Sequence, residues 1–156
     1  MFDLIVSGGR VHAEDGVGIA DIAVLGEAIA EIAPRITAPA GRRLDAAGLD
    51  VLPGLIDPHV HLGLQTHGAV SSDDVSSGTR AALFCGVTTV IDFSLQQPGQ
   101  SLSAAVEARR REFAGPSYCD YALHANVTDF GGAFAARLPD ELDALAACGC
   151  ASLKIF

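Results

Sequence analysis

Two histidines separated by one residue form the part of this sequence most able to do chemistry. His59 and His61 stand in the segment Asp-Pro-His-Val-His, directly after a short apolar run. In extended chain, residues i and i+2 point to the same side, so both imidazoles can bind one metal ion. The alternative is a pair of histidines that only pack or face solvent, since chance alone gives this pattern roughly 0.13 times per chain of this composition.

Two aspartates near predicted strand ends are candidates for supporting roles. Asp57 lies two residues before His59, and we expect it to orient a histidine or its loop. Asp92 ends a later predicted strand and is expected either to do the same or to cap a turn.

Lys154 is the only lysine of the chain and lies in the apolar run Ala-Ser-Leu-Lys-Ile-Phe. Burial lowers the pKa of a lysine and favours the neutral amine. A neutral amine can add carbon dioxide to give a carbamate, which is a carboxylate able to bridge two cations. Arginine cannot replace lysine in this role because it stays protonated. The alternative is a chance placement, with the aliphatic stem lying along apolar surface.

The elements that carry these residues alternate between strand and helix. Apolar and β-branched runs predict strands over 51–56, 87–93, 118–127 and 151–156. Capping residues and glycines predict helices from 71–74 to about 85, over 101–114 and over 139–148. This alternation is typical of an α/β fold with a parallel sheet.

Four strands and three helices correspond to the first half of a TIM-type (β/α)8 barrel. We therefore predict an incomplete barrel over 51–156, preceded over 1–50 by a β-rich segment of a small sandwich domain. Such barrels build their active sites at the C-terminal ends of the strands. His59, His61 and Lys154 all stand at such ends.

Composition excludes several classes of function. With 10 Lys and Arg against 19 Asp and Glu, the formal net charge is −9, which disfavours nucleic acids and anionic membranes. No apolar run is long enough to span a membrane or to form a signal peptide, which predicts a cytoplasmic protein. The only basic cluster, residues 109–111, is predicted to be one solvated helical turn.

The run PGLIDPHVHL resembles the opening of cyclic amidohydrolases, a family that includes dihydropyrimidinases, hydantoinases, allantoinases and dihydroorotases. The stretches GTRAALFCGVTTVIDFSLQQPGQSLSAAVEARR, CDYALHANV and SLKIF are most similar to the dihydropyrimidinase and hydantoinase branch. This resemblance implies a metal-dependent (β/α)8 hydrolase. The implied reaction opens a small cyclic amide or ureide to an N-carbamoyl amino acid by attack of a hydroxide shared between two metal ions.

The resemblance also implies roles for individual residues. His59 and His61 would bind zinc, and Lys154 as its carbamate would bridge two Zn²⁺ ions, with Asp57 supporting a histidine. The loop that contains Gln65, Thr66 and His67 would line the substrate entrance.

The family's remaining ligands, including the aspartate that shuttles protons, lie on later strands and have no counterpart within the 156 residues. His124 is expected to be structural or to line the pocket rather than to replace a ligand. Gly63 stands where many relatives carry aspartate.

Several alternatives stay open at this stage. Allantoinase and dihydroorotase belong to the same family, and some dihydropyrimidinase relatives are non-catalytic scaffolds. Retention of three expected ligands favours an enzyme, which by resemblance would be a homo-oligomer, commonly a tetramer. The 156-residue chain by itself would be an inactive truncation, prone to associate through open sheet edges.

Overall fold

The computed structural model describes residues 1–66 and 68–155. Backbone contacts divide the chain into two compact units, Met1–Pro53 and Gly54–Phe156. All the predicted site residues belong to the second unit.

The first unit is a five-stranded sheet with the order β3-β2-β1-β4, in which β5 also pairs with β1. Its strands are β1 Phe2–Ala13, β2 Gly16–Leu25, β3 Ala28–Ala33, β4 Ala40–Asp45 and β5 Asp50–Val51. Ile5, Ala23 and Ile36 form its buried apolar centre. The prediction that the N-terminal part is rich in strands is confirmed.

The second unit is built on a four-stranded sheet in which every neighbouring pair is parallel. Its strands, in the order β11-β10-β9-β6, are β6 Leu55–Asp57, β9 Val87–Leu95, β10 Asp120–Val127 and β11 Leu153–Ile155. The hairpin of β7 Gln65–Thr66 and β8 Ala69–Val70 follows β6. The helices are α1 Val75–Phe84, α2 Leu102–Phe113, α3 Gly132–Ala135 and α4 Leu138–Ala147. Strands follow one another across the sheet in chain order, which confirms the predicted first half of a (β/α)8 barrel.

Local sequence signals begin and end the helices largely as predicted. Asp74 is the N-cap of α1, and its carboxylate accepts a hydrogen bond from the backbone N–H of Ser77 at 2.8 Å. Gly86 follows the C-cap with φ +83°, a conformation that glycine adopts without strain. Ser101 caps α2 in the same way as Asp74 caps α1. The four-residue helix α3 was not predicted.

One predicted strand is wrong. The apolar run 51–56 is not a single strand, because Val51 pairs with β1 of the first unit while Leu55 begins β6 of the second. Pro53 and Gly54 separate the two pairings, and proline cannot supply the N–H that a continuous ladder needs. The short β6 places the His59–His61 segment just beyond its C-terminal end.

The core of the second unit lies between the sheet and its helices. β9 and β10 contribute Val90, Leu123 and Ala125, while α2 contributes Leu102, Val106 and Phe113. These buried contacts fix β9 and β10 at the centre of the sheet, with the candidate site at their C-terminal ends.

Candidate metal centre

The predicted ligands meet at one edge of the parallel sheet. His59 and His61 follow β6, and Lys154 lies in β11, at the opposite side of the sheet. Phe93 in β9 and His124 in β10 stand between them. Parallel strands present their carboxyl ends at the same edge, so residues distant in sequence become neighbours.

Phe93 is the common contact of the group. Its buried ring lies 4.6 Å from the ring of His59, 4.8 Å from that of His61 and 4.8 Å from that of His124, between centroids. The Lys154 Nζ lies 4.1 Å from the centre of the same ring. One aromatic side chain therefore supports both histidines and the lysine.

The three predicted ligands are also close to one another. The His59 and His61 rings are 5.1 Å apart between centroids and nearly perpendicular. The Lys154 Nζ lies 3.5 Å from the His59 Nε2. The structure thus brings together the two imidazoles and the only lysine of the chain, and their metal-binding role stays a prediction.

His61 is suited to bind a cation. Its Nδ1 is buried and has no hydrogen-bond partner among the described residues. Burial lowers the pKa of His61. It therefore favours the neutral imidazole, which is the form that binds metals.

Asp57 shapes the turn that leads to the first histidine. Its Oδ1 accepts a hydrogen bond from the backbone N–H of His59 at 3.1 Å, which is the pattern of an Asx turn. Within the described residues, Asp57 therefore acts on the backbone of the histidine segment. Its predicted support of an imidazole stays a prediction.

A buried ion pair fixes the backbone just after His61. The Asp92 Oδ2 accepts from the Leu62 N–H at 2.9 Å and from the Arg109 Nη2 at 3.0 Å. Arg109 also donates to the Leu62 carbonyl and pairs with Glu112. Asp92 thus supports the histidine segment, which is one of the two roles expected for it.

The predicted solvated turn at 109–111 is wrong for Arg109. The Arg109 side chain is only 12% exposed, and its guanidinium lies 5.0 Å from the centre of the Phe113 ring. Arg110 donates to the Cys148 carbonyl at 2.8 Å. The Arg110 side chain is nonetheless 37% exposed, and Arg111 is exposed as expected.

His124 uses both ring nitrogens in hydrogen bonds. Its Nδ1 lies 2.5 Å from the Ser152 Oγ, and its Nε2 lies 3.0 Å from the Pro58 carbonyl oxygen. Because both nitrogens are hydrogen-bonded, neither is left to bind a metal ion. This arrangement agrees with the expectation that His124 is structural rather than a ligand. Ser152 itself was missed by sequence reasoning, because an isolated serine before a strand carries no distinctive signal.

The candidate substrate loop borders a cavity of about 450 Å³. Gln65, Phe93, Gln97 and Arg109 are among its lining residues. Gly63, also in its wall, has φ +62°, and its N–H donates to the Asp73 carbonyl. His67, the other loop candidate, lies outside the described residues, as does the Thr66 side chain.

No group of three or more His, Cys, Asp and Glu side chains in residues 1–66 and 68–155 is arranged to hold a metal ion. The candidate centre thus consists of two imidazoles and a lysine amine.

None of the helices seen in residues 1–66 and 68–155 has the length and apolar character needed to cross a membrane.

Comparison with known proteins relates both the sequence and the fold to one group. The amidohydrolase family matches residues 51–127. The chain is 35% identical to the D-hydantoinase of Geobacillus stearothermophilus, over all of this chain and 32% of that protein. It is 38% identical to the dihydropyrimidinase of Rattus norvegicus, over 98% of this chain and 30% of that protein.

A solved structure gives the same relation in three dimensions. The crystal structure of the dihydropyrimidinase from Brevibacillus agri matches with a TM-score of 0.90 and 33% identity, covering all of this chain and 33% of that one. The chain therefore spans about a third of the length of the curated relatives it matches.

Proposed function

Because this chain belongs to the amidohydrolase family and corresponds to the N-terminal third of hydantoinases and dihydropyrimidinases, we propose that the intact protein opens the ring of a dihydropyrimidine or a hydantoin. Water adds across the ring amide and the carbonyl carbon–nitrogen bond breaks. The carbonyl carbon becomes a carboxylate, and the released nitrogen stays in the N-carbamoyl amino acid product.

The residues present fit a zinc centre. His61 offers a buried ring nitrogen with no described partner, His59 a second imidazole, and Lys154 an amine 3.5 Å from the His59 Nε2. His59, His61 and the carbamate of Lys154 would hold the ions. Zinc bound there would lower the pKa of water and polarise the ring carbonyl.

Carboxylation of Lys154 is the step that turns this donor set into one suited to two cations. The neutral amine attacks carbon dioxide, a nitrogen–carbon bond forms, and one proton leaves the nitrogen for solvent. The product is an anionic carboxylate on a long arm, which satisfies two positive charges better than an amine does. The half-buried position of Lys154, close to both the His59 ring and the Phe93 ring, supports this proposal.

Other residues of the chain position this set rather than contact the reacting atoms. Asp57 and Asp92 hold the backbone on either side of the histidine pair. Gln65 borders the cavity next to Phe93 and is proposed to contact substituents of the ring. Backbone and side-chain hydrogen bonds thus hold the histidines, while the adjacent loop shapes substrate entry.

One observation supports this function more than any other. His59, His61 and Lys154, separated by up to 95 positions in sequence, meet on a single aromatic ring at the catalytic edge of a half barrel. A chain-wide similarity to hydantoinases and dihydropyrimidinases accompanies that convergence.

The test uses the intact protein at the length the cell makes, purified without chelators. We expect about two zinc ions per chain by elemental analysis and release of N-carbamoyl product from dihydrouracil or hydantoin. Lys154→Arg keeps the positive charge but cannot form the carbamate, so it should lose metal and lower ring opening more than about 100-fold. Arg111→Lys, an exposed change on α2, is the matched control and should behave as wild type.

The alternatives give different results in the same assay. Lys154→Ala should regain part of its activity when a short carboxylic acid such as propionate supplies the missing carboxylate, whereas Lys154→Arg should not. Ring opening of allantoin or dihydroorotate alone would assign another branch of the family. Metal-free wild-type protein without activity on any of the four rings would refute the proposal and favour a scaffold.

A further inference from the structure

The segment that carries the two histidines is bonded to the neighbouring strands β9 and β10 at alternate residues. The Pro58 carbonyl accepts from the ring of His124, the Val60 N–H donates to the Ile91 carbonyl at 3.1 Å, and the Leu62 N–H donates to Asp92. The residues between these ties are His59 and His61. The hydrogen bonds of Pro58, Val60 and Leu62 therefore fix the backbone from which both imidazoles project.

The tie made by His124 differs from the other two, because it also reaches the strand of the lysine. Its Nδ1 lies 2.5 Å from the Oγ of Ser152, two residues before Lys154. Its Nε2 lies 3.0 Å from the carbonyl of Pro58, the residue before His59. One imidazole thus bonds to both segments that carry the proposed ligands.

The chemistry of the two partners fixes the tautomer of His124. A carbonyl oxygen only accepts hydrogen bonds, so the Nε2 must carry the hydrogen that bonds to Pro58. In the neutral ring the Nδ1 is then an acceptor, and the Ser152 hydroxyl donates to it. Of the two neutral tautomers, only the one with hydrogen on Nε2 satisfies both partners.

We infer that His124 is a positioning residue that sets the separation between His59 and Lys154. It does so by holding Pro58 and Ser152 at the two ends of one ring. Its own ring packs on Phe93, 4.8 Å away between centroids, and so on the same surface as the ligands. The inference rests on the proposed zinc centre, since that centre is what a fixed separation serves.

Four substitutions test the two bonds of His124, together or one at a time. His124→Phe keeps an aromatic ring against Phe93 but removes both bonds. His124→Gln can place an amide N–H near the Nε2 position and so keep the bond to Pro58. His124→Asn can place an amide oxygen near the Nδ1 position and so keep the bond to Ser152. Ser152→Ala removes only the bond on the lysine side.

We expect His124→Phe to weaken zinc binding by about 10- to 100-fold, the usual effect of losing a residue that orients metal ligands. His124→Gln and Ser152→Ala should each lose less than His124→Phe. Zinc affinity is measured on the intact protein by competition with a chromophoric chelator. His12→Phe is the control, because His12 also makes a hydrogen bond, to Asp50, but lies in the first unit.

A second readout needs no metal. Long-range ¹H–¹⁵N spectra of the histidine-labelled apoprotein should show His124 as the Nε2–H tautomer. Ser152→Ala and His124→Gln should shift the His59 ring signals, whereas His12→Phe should not. Because these two variants make small changes, they remain informative if His124→Phe fails to fold.

The outcomes separate the inference from the function on which it rests. Zinc binding by wild type together with an affinity within threefold in His124→Phe would overturn the inference and leave the function standing. The Nδ1–H tautomer, or unchanged His59 signals in Ser152→Ala and His124→Gln, would also overturn it. Absence of zinc from wild type, with the expected tautomer and shifts, would overturn the proposed function and support the tie itself.

Discussion

Replacement of Arg109 by methionine should destabilise the protein strongly, because it leaves a buried carboxylate without its cation. The Asp92 side chain is 2% exposed and that of Arg109 is 12% exposed, with 3.0 Å between the Asp92 Oδ2 and the Arg109 Nη2. Breaking a buried pair by removing one partner costs about 3–5 kcal/mol. Methionine retains most of the length of the arginine stem but loses the guanidinium and its contact with the Phe113 ring, so the cost reports the lost charge, hydrogen bonds and ring contact together.

Asp92→Asn and the double variant test whether Arg109 and Asp92 act as a pair. Asp92→Asn leaves Arg109 with the Leu62 carbonyl and Glu112, so we expect a smaller loss of about 1–3 kcal/mol. The double variant removes both charges and should cost clearly less than the sum of the single changes, with a coupling of about 1–3 kcal/mol. Arg111→Met, exposed on the same helix, should stay within about 0.5 kcal/mol of wild type.

Urea unfolding of the four variants, followed by circular dichroism, gives these free energies. Strict additivity of Arg109→Met and Asp92→Asn would show that the two side chains do not act as a pair. A loss below about 1 kcal/mol for Arg109→Met would refute the reasoning from burial as well.

Two further predictions concern buried carboxylates that accept backbone hydrogen bonds. The hydrogen bond from the Ile36 N–H is the largest cause that lowers the pKa of Asp21. The ionised carboxylate therefore stabilises the fold fully above the unfolded pKa of about 3.9, and this stabilisation is lost as pH falls through the lower folded pKa. Asp21→Asn should cost about 1–3 kcal/mol at pH 7 and reduce the fall in Tm between pH 5 and pH 2. Glu141→Ala removes the carboxylate oxygen that lies 2.7 Å from the Leu102 backbone nitrogen at the start of α2. Urea unfolding should show a free energy of unfolding lower by about 1–3 kcal/mol. The control Glu112→Ala, on the exposed side of α2, should lower it by less.

Local signals were sufficient where structure depends on neighbours in sequence. The segment 71–74 predicted the start of α1 and Gly86 its end, because capping bonds and positive φ are properties of a few consecutive residues. The division of the run 51–56 was not predictable in this way. Val51 and Leu55 differ in their pairing partners, β1 and β9, and partner choice is a tertiary property.

The burial of Arg109 could have been predicted from helical spacing. Leu102, Val106 and Phe113 lie on the buried face of α2, and Arg109 falls three residues after Val106 and four before Phe113. A charged residue at such a position needs a buried partner, and Asp92 at a strand end was the available carboxylate. The position inside a run of three arginines concealed this signal.

The convergence of the site on Phe93 explains why residue type and spacing could select the candidate ligands but not the residue that supports them. Histidine and lysine are residue types that can bind metals or react, so His59, His61 and Lys154 could be selected as candidates from the sequence alone. Phe93 carries no such chemistry, yet its ring contacts all three of these side chains and His124 as well. A buried aromatic ring in a central strand gives four side chains from three other segments a common surface, and the parallel register of β9 and β10, with His124 opposite Phe93, brings them to it. The separation of the proposed ligands therefore depends on the packing of the sheet as well as on the bonds of His124. Changes in that packing are expected to affect the proposed metal binding even where no proposed ligand is altered.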